Sequence, residues 1–212
     1  MTSHDPGDGR RATTAGLTLL VPASWWVIPL GTGDALRRSV GALVDEQVGR
    51  RDQDAPLRAS LRTQLTGAAE QAAAAGGTLM AISLMTVEGV PVPATMVVYR
   101  VPGLTLDEPG LQALVDGLTA DGEPRPDALD VAAGQFGPVV RRLARRAGDA
   151  DLGASEITMM VVDYWLDAGD GGHVVQLTFS SPMVQVAAAL LDLFDTVASS
   201  VGPEEDPEDE QE

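Results

Sequence analysis

The chain has 212 residues, 44% of them hydrophobic, and a formal net charge of −17 at pH 7, which suits one domain with a sizeable core. There is no cysteine, and all 14 cations are arginine, so disulfides, thiolate metal sites, cysteine nucleophiles and lysine-dependent chemistry are excluded. A chain this acidic repels phosphate backbones and anionic membrane surfaces, so neither nucleic acid nor membrane is an expected partner.

Residues 1–14 are polar and carry glycine and proline; they are expected to form a disordered tail. Arg10 and Arg11 precede a mostly apolar run to Leu30, which superficially suggests an export signal. Pro22 and Pro29 interrupt that run, two tryptophans sit in its middle, and no small-residue cleavage motif closes it. No stretch reaches the roughly 18 apolar residues a membrane span needs. A cytoplasmic protein is the expectation. The arginine-only, alanine-rich composition fits a GC-rich bacterial, actinobacterial-like source.

Residues 17–21 and 25–30 are short apolar segments joined by Pro22-Ala-Ser24, which read as a hairpin. Alternation then places Trp25 with Val27 on one face and Trp26 with Ile28 and Leu30 on the other. Asp34 reads as the cap of a helix whose stripe is Leu36, Val40, Leu43, Val44 and Val48. The stretch Gly31-Thr-Gly33 starts like a dinucleotide fingerprint. It lacks the third glycine and places Asp34 where a phosphate would sit.

Asp54 and Pro56 open a second helix with the stripe Leu57, Leu61, Leu65, Ala68, Ala69 and Ala72, ended by Gly76-Gly77. Residues 78–87 and 91–101 read as strands around a Glu88-Gly89 turn, with Pro91 and Pro93 at an edge or bulge. A short helix follows, with Leu111, Leu114, Val115 and Leu118 on one face, broken by Asp121-Gly122 and Pro124. Residues 129–145 fit either a helix or a pair of strands around Gly134, and pattern alone leaves both open.

The clearest strands are 157–167 and 173–180, joined by a glycine-rich loop at 168–172. A last helix carries Val184, Ala187, Ala188, Leu191, Phe194, Ala198 and Val201 on its stripe. Gly202-Pro203 stops it before residues 204–212, which hold seven carboxylates and no cation. The expected architecture is therefore α+β: a central antiparallel sheet covered by amphipathic helices, with one domain over 15–202 and a disordered acidic tail over 203–212.

Three segments resemble the Mog1/PsbP-like fold family: "GLTLLVPASWWVI" at the start, the late hairpin "MMVVDYWLDAGDGGHVVQLTFSSP", and the terminal "LLDLFDTVASSV". The resemblance covers roughly residues 16–201. It implies an α/β/α sandwich, a strand for residues 138–144, and a mostly non-catalytic family that binds proteins. One branch binds a nuclear-transport GTPase, and another the lumenal face of photosystem II. Bacterial members are often lipoproteins, but this chain has no lipobox cysteine. No family binding motif maps onto its residues.

The side chains that could carry chemistry are sparse. His4 lies in the N-terminal tail and His173 at a hairpin end. Ser180 or Ser181 would lie roughly 23–27 Å from His173 along one strand, too far for a triad. Asp163, Asp167 and Asp170 lack calcium-loop spacing, and turn chemistry accounts for them. No catalytic residue, cofactor or metal is expected.

The densest basic cluster is Arg141, Arg142, Arg145 and Arg146. It fits a solvated face paired with carboxylates, a cradle for the acidic tail, or a site for an acidic partner. With Trp25, these arginines are the candidate partner-binding residues. The expected function is a non-enzymatic accessory or adaptor protein that binds another protein. The alternative is a small-molecule or lipid-binding module with a pocket between sheet and helices, suggested by Met80, Met85, Met96, Met159 and Met160 on strands.

Overall fold

The computed structural model describes residues 9–120, 126–148, 155–169 and 173–204. Local pattern builds its elements and distant pairing joins them. The first strand, β1 (Gly9–Thr14), pairs antiparallel with β2 (Leu17–Pro22) through a tight turn at Ala15-Gly16. Residues 9–14 therefore belong to the fold, a correction to the tail expected over 1–14. β2 also pairs with β12 (Gly202–Pro203), which closes a three-stranded sheet.

β3 (Trp25–Pro29) does not pair with β2, contrary to the expected hairpin. It pairs with β4 (Gly77–Ser83), about fifty residues later. The linker Pro22-Ala-Ser24 instead carries the chain from the small sheet to the large one.

Between β3 and β4 lie α1 (Gly33–Val48) and α2 (Ala55–Ala74). The cap of α1 is Thr32, whose hydroxyl accepts from the Ala35 amide at 3.4 Å; Asp34 sits in the first turn, where its charge suits the helix dipole. Leu36, Val40, Leu43 and Val44 are buried as the stripe predicts. On α2 the stripe fades toward the N-terminus: Ala69 and Ala72 are buried, but Leu57 is exposed. Arg37 to Glu70 at 2.9 Å and Arg62 to Asp45 tie the two helices together. Gly76, at φ 88°, lets the chain turn from α2 into β4, a conformation side chains resist.

The hairpin expected over 78–101 is interrupted. β4 and β7 (Thr95–Val101) pair in the large sheet, while β5 (Thr86–Val87) and β6 (Val90–Pro91) form a small ribbon at the tip. α3 (Glu108–Thr119) follows, capped by Asp107, whose carboxylate accepts from the Gly110 amide and the Thr105 hydroxyl. Those bonds hold its carboxyl below the usual range. The helix break expected at 121–125 lies outside the described residues, as do 170–172 of the late loop and 205–212 of the acidic tail.

The ambiguous region is a pair of strands, β8 (Ala128–Gly134) and β9 (Gly137–Ala147), turning at Gln135-Phe136. β10 (Thr158–Asp167) and β11 (Val174–Ser181) follow. The large sheet has seven antiparallel strands in the order β3-β4-β7-β11-β10-β9-β8.

The fold is thus α+β around a large antiparallel sheet. The front face carries α4 (Ala187–Ser199) and the small sheet; Leu17, Leu19, Val21, Phe179, Leu190, Phe194 and Val197 are buried there. Leu190 and Val197, missed in the predicted stripe, replace Ala188 as core contacts. The back face carries α1 and α2 over β3, β4 and β7. It carries α3 over Val140, Trp165 and Val174. These two helical layers are separate clusters, and among the described residues no helix covers the back of the sheet between them.

Candidate functional site

The strand conformation of β9 splits the arginine cluster. Successive side chains point to opposite faces, so Arg141 and Arg145 go forward with Leu143, while Arg142 and Arg146 go back with Val140. Arg141 donates from Nη1 to Asp195 Oδ2 at 2.7 Å and from Nη2 to Asp130 Oδ2 at 2.9 Å. The bond to Asp130, and after it Asp195, strengthens its hold on its proton. The buried Tyr164 hydroxyl donates to the other Asp195 oxygen at 2.7 Å. Burial first, then that bond, pushes the phenol well above its ordinary pKa. Arg145 lies 3.8 Å from Asp127. On the front, then, the arginines fasten α4 and β8 to the sheet.

Trp25 is 1% exposed, edge-on to Phe179 at 6.3 Å and to Phe194 at 6.4 Å. It is core, which removes it from the partner-facing candidates. Trp26, on the back face, is half-buried under α1, and its indole donates to Ser39 Oγ at 3.1 Å. Met96 and Met160 are fully buried and Met80 nearly so, which makes them packing residues.

The back face forms a groove of about 520 Å³. Its floor is built by β7, β11, β10 and β9, and its rims by Ala75 at the end of α2 and by Pro102. Asp163, 3% exposed, sits at the centre. The register explains why: Asp163 lies opposite Arg142 on β9 and Thr178 on β11. Arg142 donates from Nε at 3.2 Å and Nη2 at 2.9 Å to Asp163 Oδ2. Thr178 donates to Oδ1 at 2.7 Å and Gln176 at 3.4 Å. The Arg142 guanidinium also lies 5.8 Å from the Trp165 ring. A buried carboxylate is tolerated only when paired and hydrogen-bonded in this way.

Above this floor stand Tyr99 and Arg146. Burial, then the negative charge of Asp163, raises the Tyr99 pKa, while Arg146 pulls it the other way. Arg146 is exposed. Arg142, Thr178 and Gln176 are engaged with Asp163, and the exposed Arg146 guanidinium and the Tyr99 side chain line the same groove.

Neither a protein-family profile nor a curated protein matches the sequence. Among solved structures the chain is similar to the Ran-binding protein Mog1p of Saccharomyces cerevisiae. The identity is 10%, the TM-score 0.46, and the match covers 93% of this chain and 96% of that one. At that identity and score, the similarity bears on neither function nor residue roles.

Of the groove residues, the sequence pointed to Arg142 and Arg146 but missed Tyr99, Gln176 and Thr178, and took Asp163 only as a turn residue. A signal did exist. Asp163 is the one charge inside the run Met159-Met-Val-Val-Asp-Tyr-Trp-Leu166, and Gln176 and Thr178 share a face of the neighbouring strand. A charge amid buried strand positions implies a polar network across the sheet.

Proposed function

We propose that the protein is a non-enzymatic accessory or adaptor that docks a segment of another protein in the back-face groove. The observation that supports this reading is the groove itself, a strip of sheet that no described helix covers, between two helical layers and with a fixed polar floor. Its width crosses four strands, about 14 Å at sheet spacing, which suits a polypeptide segment. A lipid would ask for an enclosed apolar pocket, whereas this floor centres on Asp163 and Arg142.

The test is site-specific photo-crosslinking in the native host. A photoreactive residue replaces Ala75, at the groove rim. A control replaces the exposed Leu57, about 27 Å away along the same helix. A discrete protein adduct from Ala75 that Leu57 does not give is the expected result. No adduct, or the same adducts from both positions, would overturn the proposal.

A further inference from the structure

We infer that the groove selects an acidic, extended polypeptide segment, and that Arg146 meets its carboxylates. This rests on the reading of the groove as a protein-docking site and adds the chemistry of the partner.

The argument is one of charge placement. The chain is strongly anionic, yet among the described residues lining this groove Arg142 and Arg146 face one carboxylate, Asp163. Arg142 and Asp163 neutralise each other at the floor. Several other arginines are matched, Arg37 with Glu70, Arg62 with Asp45, Arg141 with Asp130 and Asp195, Arg145 with Asp127, whereas Arg38 on α1 is exposed like Arg146 but does not line this groove. Among the described residues, Arg146 makes no ion pair, although it is exposed and carries a fork of donors suited to carboxylates. Its charge reaches far enough into the groove to act on Tyr99.

The overall negative charge does not forbid this. Screening limits each charge to about 8 Å at physiological ionic strength, so a short acidic segment in the groove responds to the nearby arginines. A long polyanion would cross the acidic remainder of the surface as well. The sign of the salt dependence separates the two regimes: local attraction weakens with salt, and global repulsion is relieved by it.

The test uses a fluorescein-labelled hexapeptide of alternating Asp and Glu, its Asn/Gln counterpart, and fluorescence anisotropy. Titrations run on the full chain and on a chain ending at Glu204, in which the acidic C-terminal residues cannot compete. The acidic peptide is expected to bind at least one of the two chains saturably, more weakly as salt rises, and the amide peptide not to bind. Arg146→Glu should weaken binding about tenfold or more. Arg38→Glu, an equal charge change at an exposed site on α1, should leave it within about twofold. No saturable binding to either chain, equal losses in the two variants, or affinity that rises with salt would overturn the inference. If these fail while the Ala75 adduct persists, the acidic specificity falls and the docking site stands; if both fail, both fall.

Discussion

Replacing Arg142 with methionine strands Asp163. The Asp163 side chain is 4% exposed and that of Arg142 20%. The substitution removes both donors on Oδ2 and leaves only Thr178 and Gln176 on Oδ1. Breaking a buried pair from one side costs about 3–5 kcal/mol. The two surviving hydrogen bonds put the expected loss near the low end, about 3 kcal/mol. In urea that moves the unfolding midpoint by about 1–2 M for a slope near 2 kcal/mol/M. Asp163→Leu alone should cost less, about 1–2 kcal/mol, because Arg142 can swing its head toward water. The double variant Asp163→Leu with Arg142→Met removes both charges and should return to within about 1 kcal/mol of the parent. The double-mutant cycle, read by far-UV circular dichroism, should thus show a coupling of about 3 kcal/mol. A loss below about 1 kcal/mol for Arg142→Met, or strict additivity, would refute the reasoning.

Two further outcomes follow from the same structure. Tyr164 and Tyr99 both hold their protons more tightly when folded than at the ordinary value of 10.0. Their contribution is therefore full below pH 10 and fades as pH rises, because the unfolded chain releases protons that the folded one keeps. With no lysine to titrate alongside, urea midpoints should fall between about pH 10 and 11, the first unit above the tyrosine value, less so in Tyr164→Phe; a flat profile would contradict this. Trp25→Ala should cost about 3–5 kcal/mol, and Trp26→Phe only about 1 kcal/mol, for the bond to Ser39. Thermal unfolding that ranked them in reverse would overturn the assignment of the two faces.

What the sequence revealed depended on how far apart the pairing segments lie. The α1 stripe and the β10–β11 hairpin are local patterns, and both were legible. The pairing of β2 with β12, and of β3 with β4, was not, because Pro22-Ala-Ser24 looks like a turn and nothing in the adjoining residues encodes a partner fifty or more positions away; β1 was missed because its polar, glycine- and proline-flanked sequence reads as a tail. The same limit hid the groove. Arg142, Asp163 and Thr178 come from three strands, and only the sheet register brings them together. Trp25 was misjudged for a different reason: alternation separates it from Trp26 but does not say which face is buried, and here both faces are covered.

Alternation on β9 also makes that strand a lock on its own alignment. Arg-Arg-Leu-Ala-Arg-Arg sends a cation to each side of the sheet and repeats it four residues on. A slip of one residue against β10 would bring Leu143 or Arg141 opposite Asp163 and reverse the face of every side chain. The front would lose its tie to Asp195, and the back its counter-ion for Asp163. Each alternative alignment is wrong twice over, once on each face of the sheet.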